Sequence, residues 1–383
     1  MIPVPLAEWP QALLRFIRRP FGIGENRLKT FNHFVIASLI TLPLAAQKAP
    51  APSAETYARA ALPACVGMTL TQEEMPRKLP SGMKATLFRA KSEGGYCDGD
   101  YLVVTTQTGS VYVGSPWFLD GPGEPPEKLK QFAWQTMRES VDIEISKELT
   151  RDGLVKITMW EQTARGKVPL EGEMDRDGRV FFLGHFRPQS ADYAASRFES
   201  FKPLLANAPA RGASTPAVTI VEFSDFECPS CKYGSEYVTP ILAKYPEKVR
   251  HIRYDLPLVS MHPWALSASL AGRAIYRQKP DLFWSYKKLV YENQGKLSAF
   301  TFDEFASGFA KDHDLDMEKY GADVASESIR NELLRAVGVA FANDIRATPS
   351  YLVNGVIVEP GEDGKHLASY VDAVMAAPAQ QGK

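Results

Sequence analysis

The feature that most narrows the fold of this chain is the tetrad Cys228-Pro229-Ser230-Cys231, set between a strand-like run and a helix-like one. Val218-Thr-Ile-Val-Glu-Phe223 is β-branched and alternating, the pattern of a buried or half-buried strand. Beyond the tetrad, Tyr237, Ile241 and Tyr245 recur every fourth residue with Val238 and Leu242 beside them, so the spacing predicts a helix over 229–245. A strand that hands over to a helix at two cysteines puts a dithiol at a helix N-terminus. Unpaired N–H groups there favour thiolate over thiol at Cys228. Pro229 suits the first helical turn, where its missing N–H costs nothing.

The chain has 383 residues, enough for two domains with separate cores. Lys plus Arg (44) balances Asp plus Glu (45), so no overall field draws it to nucleic acid or anionic lipid. No phosphate-binding Gly-rich loop and no internal repeat is visible. Of four cysteines, two belong to the tetrad, and Cys65 and Cys97 lie far upstream.

The apolar run Phe34–Leu44 follows Arg27 and Lys29, and the small residues Ala45 and Ala46 come next. Residues 1–46 therefore read as a leader and secretory signal peptide cleaved near Ala46, which implies a periplasmic or otherwise extracytoplasmic protein. An uncleaved anchor or a buried helix is the competing reading, and residues 1–27 are long enough to suggest an over-called start. In an oxidising compartment, two leftover cysteines imply a structural Cys65–Cys97 bridge; a second redox couple is the alternative.

Residues 55–188 read as a smaller α+β domain. Strands are expected at 101–106, 110–113, 155–159 and 178–183, and a helix over 127–141 with Leu129, Phe132 and Met137 near one face. Trp117, Trp134 and Trp160 are expected in its core or an interface. Residues 189–215 read as a linker whose first part could be helical. From 216 to 378 the order is strand 218–223, helix 229–245, strand 249–255, a helical block over 263–342, a hairpin at 351–358 around Asn354-Gly355, and a helix over 364–376. That is an α/β unit with a four-stranded sheet and a helical insertion.

Glu222-Phe-Ser-Asp-Phe-Glu-Cys-Pro-Ser-Cys231, with Ala347-Thr-Pro-Ser-Tyr-Leu-Val-Asn-Gly355, resembles the DsbA-like thioredoxin-fold thiol–disulfide oxidoreductases. The resemblance covers 216–378. It implies a cis Thr348–Pro349 bond facing the reactive cysteine and an acidic residue, Glu222, beneath the site. A weaker resemblance of the upstream unit to the DsbC/DsbG-type isomerases implies a cystatin-like domain that forms a homodimer.

On this reading Cys228 is the exposed nucleophile and Cys231 the buried resolving thiol. Half a zinc site and an inert disulfide are the bland alternatives, although no second C-x-x-C and no histidine pair stands at ligand spacing. Pro349 would leave backbone groups free to pair with an extended substrate. Glu222, as a buried acid with a raised pKa, would relay a proton to Cys231, unless alternation turns it to solvent. Asp225 and Glu227 read as surface charges that modestly oppose the Cys228 thiolate, and His262, before Pro263, as a helix-entry residue, with lining of the site as the alternative. Ser230 brings a hydroxyl but no positive charge, so a lowered Cys228 pKa is expected with a couple less oxidising than in histidine-bearing members. No cofactor or metal is called for. The expected partners are protein substrates carrying thiols or disulfides and a membrane or soluble redox partner. The function expected is oxidative folding of secreted proteins, with a dimeric isomerase or reductase, or a redox-inert chaperone, as the rival readings.

Overall fold

The computed structural model describes residues 52–377, apart from residues 76 and 138–139. The leader and signal peptide expected over 1–46 lies outside the described residues. Among these, no helix is long and apolar enough to cross a membrane.

The N-terminal half runs α1 (Ala54–Ala61), β1 (Thr69–Glu73), β2 (Met83–Lys91), β3 (Gly99–Thr106), β4 (Ser110–Gly114), β5 (Trp117–Phe118), α2 (Pro125–Met137), β6 (Val141–Leu149), β7 (Val155–Thr163), β8 (Gly166–Met174), β9 (Val180–Leu183), β10 (Arg187–Pro188) and α3 (Tyr193–Leu205). The strands form two five-stranded sheets, β1-β2-β3-β4-β10 and β5-β9-β8-β7-β6, antiparallel throughout. Period-two burial explains β7: Ile157 and Met159 turn into the core while Lys156 faces out. The helix expected over 127–141 ends earlier, because Val141 already begins β6. Trp134 is 54% exposed rather than buried.

The C-terminal half adds β11 (Ala210–Gly212), β12 (Val218–Ser224), α4 (Pro229–Gly234), α5 (Thr239–Lys244), β13 (Val249–Asp255), α6 (Ala265–Gln278), α7 (Leu282–Asn293), α8 (Phe302–Asp312), α9 (Met317–Val324), α10 (Glu327–Ala342), β14 (Ser350–Val353), β15 (Val356–Val358) and α11 (Lys365–Ala376). Its sheet has the order β11-β13-β12-β14-β15. β12 lies at the centre, parallel to β13 and antiparallel to β14, and is buried along nearly its whole length, as a strand covered on both faces must be. This is a thioredoxin-type α/β sheet with a five-helix insertion, α6 to α10.

Three expectations change. The helix over 229–245 is two short helices, because Pro240 lacks the N–H an unbroken helix would need and its ring would clash with the preceding turn. The sheet has five strands rather than four, since β11 pairs with β13. Residues 189–205 hold α3, the helix read there, but the linker stretch that follows holds that edge strand.

The halves share a core. Ile157, Phe181 and Phe201 pack in one apolar cluster with Phe223, Leu333, Val337 and Ile357. Arg197, fully buried, donates to the carbonyls of Gly355 and Ala61. Ala64 bridges Val358 of the edge strand β15. On α10, Gly338 lets the helix approach the β8 backbone so closely that an added Cβ would sit 1.8 Å from the Pro169 carbonyl oxygen.

Candidate functional site

The end of β12 delivers the tetrad. Cys228 is the N-cap residue of α4 and Pro229 its first residue, so the helix starts at the dithiol as expected. The cap carbonyl of Cys228 accepts from Cys231 N (3.1 Å) and from Gln294 Nε2 (3.0 Å), and Gln294 also donates to Phe226 O at 2.9 Å. Gln294, which follows α7, thus pins the turn; nothing in the sequence marked it.

Both tetrad cysteines are free thiols. Cys231 is fully buried, whereas Cys228 is 8% exposed, more covered than the exposed nucleophile expected. The cause is its neighbourhood: Cys228 packs in the apolar cluster of Phe226, Trp264 and Phe302, and its Sγ lies 3.5 Å from the Thr348 carbonyl oxygen. Thr348–Pro349 is a cis peptide bond. Cys228, Cys231, Thr348 and Pro349 therefore meet across 120 residues of sequence, and an added Cβ on Gly234 of α4 would lie 3.0 Å from Pro349 Cγ.

The two thiols are unequal. Hydrogen bonding from the Cys231 thiol, against the opposing effect of burial, brings Cys228 down to about 5. The Thr348 side chain and the Cys231 and Ser230 N–H groups act in the same direction. Burial and the neighbouring Cys228 push Cys231 up. Its sulfur accepts the Asp225 N–H at 3.4 Å. Such a pair presents one reactive thiolate and one protonated reserve.

Beneath the dithiol, Glu222 is fully buried, so alternation does not turn it to solvent. Its expected raised pKa is overturned. Burial alone would raise it, but Lys287, His251 and Arg253 together hold the carboxyl well below the usual carboxylate range. Lys287 Nζ donates to both carboxylate oxygens at 3.1–3.2 Å and to Ser235 O at 3.2 Å, and His251 Nε2 lies 2.9 Å from Oε2. Burial keeps His251 neutral, down to about 4, and also lowers Lys287. Glu222 is thus an ionised anchor whose bonds go to the helical insertion and β13.

Asp225 is not a surface charge, and Glu227 is half-buried. Asp225 is fully buried and accepts from Glu227 N (2.7 Å) and Leu258 N (2.8 Å), with His262 Nδ1 2.7 Å away; Glu227 accepts from Trp264 N at 2.7 Å. The sequence could have flagged them by position, in the turn between a central strand and a helix, where orphan N–H groups need acceptors. Cys65 and Cys97 are disulfide-bonded to each other in the N-terminal half.

This arrangement, a dithiol at a helix start opposite a cis-proline loop on a central parallel strand, defines a thioredoxin-fold domain. A family model described as Thioredoxin matches residues 206–373. The chain is 28% identical over 161 residues to a probable disulfide bond formation protein D of Bacillus cereus, covering 41% of this chain and 74% of that protein. It is 30% identical over 145 residues, 38% of this chain, to the Na(+)/H(+) antiporter NhaA 3 of Salinispora tropica, but spans only 21% of that protein's length. Among solved structures, BdbD from Bacillus subtilis (oxidised) overlays with a TM-score of 0.41 at 20% identity, covering 45% of this chain and 95% of BdbD. Residues 206–373 thus form a thioredoxin-fold unit, and the chain is similar to disulfide bond formation proteins.

Proposed function

We propose that this chain is an extracytoplasmic thiol–disulfide oxidoreductase that passes its Cys228–Cys231 disulfide to folding proteins. The observation that carries the reading is the inequality of the two thiols, with Cys228 down to about 5 and Cys231 buried and protonated. In the forward step a substrate thiolate attacks Cys228 Sγ, a mixed disulfide forms, and the electron pair of the broken bond goes to Cys231, which takes a proton. A second substrate thiolate then attacks the substrate sulfur and expels Cys228 as a thiolate. A low-pKa thiol leaves readily, and its stable thiolate favours the reduced enzyme, which drives transfer towards the substrate.

Three further features support the assignment. Relatives named disulfide bond formation protein D match 41% and 45% of the chain. Tyr233 of α4 and Met261 beside His262 are 77% and 66% exposed, apolar surface suited to unfolded chains. The Cys65–Cys97 bridge fits an oxidising compartment. Thr348 and Pro349 would then line the substrate strand, and Glu222 would anchor the site from below. A membrane or soluble partner would reoxidise the dithiol.

The test is oxidative refolding of reduced ribonuclease with the oxidised protein. Native activity should return with wild type, and Cys231→Ala should accumulate a mixed disulfide with the client. No thiol consumption by wild type would refute the proposal. A stable dimer that reactivates scrambled ribonuclease, but not the reduced form, would move the assignment to the isomerase or reductase side.

A further inference from the structure

The residues between the two cysteines, Pro229 and Ser230, carry no charge, so the tetrad offers the Cys228 thiolate hydrogen bonds but no cation. The loop between β13 and α6 is clamped to the turn that carries Cys228 at three points. Leu258 N and His262 Nδ1 both meet Asp225 Oδ2, and Trp264 N donates to Glu227 Oε2. Trp264 packs in the same apolar cluster as Cys228. The loop therefore cannot move independently of the dithiol, and it carries one imidazole, His262, whose side chain keeps 16% exposure beside a carboxylate with none.

We propose that His262, seated on Asp225, supplies from this neighbouring loop the positive charge that the tetrad lacks, and so biases the dithiol towards its reduced, thiolate form. The inference deepens the oxidoreductase reading and rests on it. His262 is a positioning residue here, acting on the Cys228 sulfur through space. The ionisable groups that face it are Asp225, Glu227 and Cys228; the hydrogen bond to Asp225 is the main reason its pKa is raised, and Cys228 raises it further. Asp225 also donates its backbone N–H to Cys231 Sγ, so one residue touches the imidazole through its side chain and the second thiol through its backbone.

Coupling between two titrating groups is reciprocal. Reduction of the disulfide by two electrons and one proton leaves Cys228 as thiolate and Cys231 as thiol. The new negative charge must then hold the His262 proton more tightly than the disulfide did.

The experiment titrates the Cys228 thiolate by its absorbance at 240 nm in the reduced full-length protein, for wild type, His262→Gln and His262→Lys. A unit charge at a half-buried site changes a proton equilibrium by about tenfold. His262→Gln should weaken thiolate formation by about that factor and shift the glutathione equilibrium towards the disulfide equally, and His262→Lys should restore both. A folded His262→Gln protein with both within twofold of wild type would overturn the proposal. Should that variant not fold, NMR titration of His262 in wild type decides. A higher pKa in reduced than in oxidised protein supports the coupling, and equal values refute it. The thiolate titration needs no client, so it judges His262 even if the refolding assay fails.

Discussion

Lys287→Met tests whether the buried network under the dithiol holds Glu222 as an ion. Both partners are out of water, with side-chain exposures of 5% for Lys287 and 0% for Glu222, so solvent screening does little to weaken the pair. Removing the ammonium strands a buried carboxylate and leaves the Ser235 carbonyl without its Nζ donor. Breaking such a pair costs about 3–5 kcal/mol. The cost should depend on pH in a definite direction. In wild type, His251 is held neutral down to about 4, below its ordinary value, so this pair contributes stability above pH ~6.5 that is lost as pH falls. Without Lys287, either Glu222 or His251 keeps a proton in the folded state. The variant then binds as many protons as the unfolded chain up to pH ~6.5 and more above it, so its stability falls as pH rises. Urea unfolding at pH 5 and pH 8, with the dithiol in one fixed redox state, should show a penalty smaller at pH 5 by roughly 4 kcal/mol, about half from the wild-type gain below pH ~6.5 and half from the variant's loss above it. A penalty below ~1 kcal/mol at pH 8, or one equal at both pH values, would refute the ionised-anchor reading.

Three further outcomes are expected. Alkylation of reduced Cys228 by iodoacetamide should rise with pH through a midpoint near 5 and level off by neutrality; a midpoint in the ordinary thiol range would contradict the asymmetry described for the pair. Gly338→Ala should lower the thermal midpoint, since a Cβ 1.8 Å from the Pro169 carbonyl oxygen forces α10 off β8 at a cost of about 1–3 kcal/mol. An unchanged melt would mean that the two halves do not meet there. Replacing Cys65 and Cys97 together by serine removes a bridge spanning 32 residues and should cost about 3–4 kcal/mol in chemical unfolding while disulfide exchange through Cys228 survives. Loss of exchange in a folded double variant would instead make that bridge a second redox couple.

Much of the C-terminal half was legible because its signals are local. The alternation of 218–223 and the strand at 249–255 mark β12 and β13. Asn354 and Gly355, with φ of 47° and 90°, fit the tight turn between β14 and β15. The dithiol and Pro349 were legible through two motifs. The rest depends on contacts that spacing does not encode. Nothing about Lys287 or Tyr291, on a helix more than sixty residues away, announces that they reach the β12 end, where Tyr291 bonds Ser224 and Asp225. Asp225 looked like a solvated charge because acidic residues in turns usually are; its burial follows from the N–H groups and the imidazole it serves. In the N-terminal half, β8 gives a weak strand signal because it carries Gly166, Pro169 and Gly172, yet Pro169 sits opposite Trp160 in the ladder. The split between α4 and α5 was readable in Pro240, but apolar spacing across it masked the break.

The most direct measurement equilibrates the protein in glutathione mixtures of graded ratio and locates the disulfides by mass spectrometry after acid quench. One reversible two-electron transition confined to Cys228 and Cys231, with Cys65–Cys97 intact throughout, is the predicted result. Two cysteines of the tetrad that stay reduced across all ratios, or a bridge there that never reopens, would contradict it.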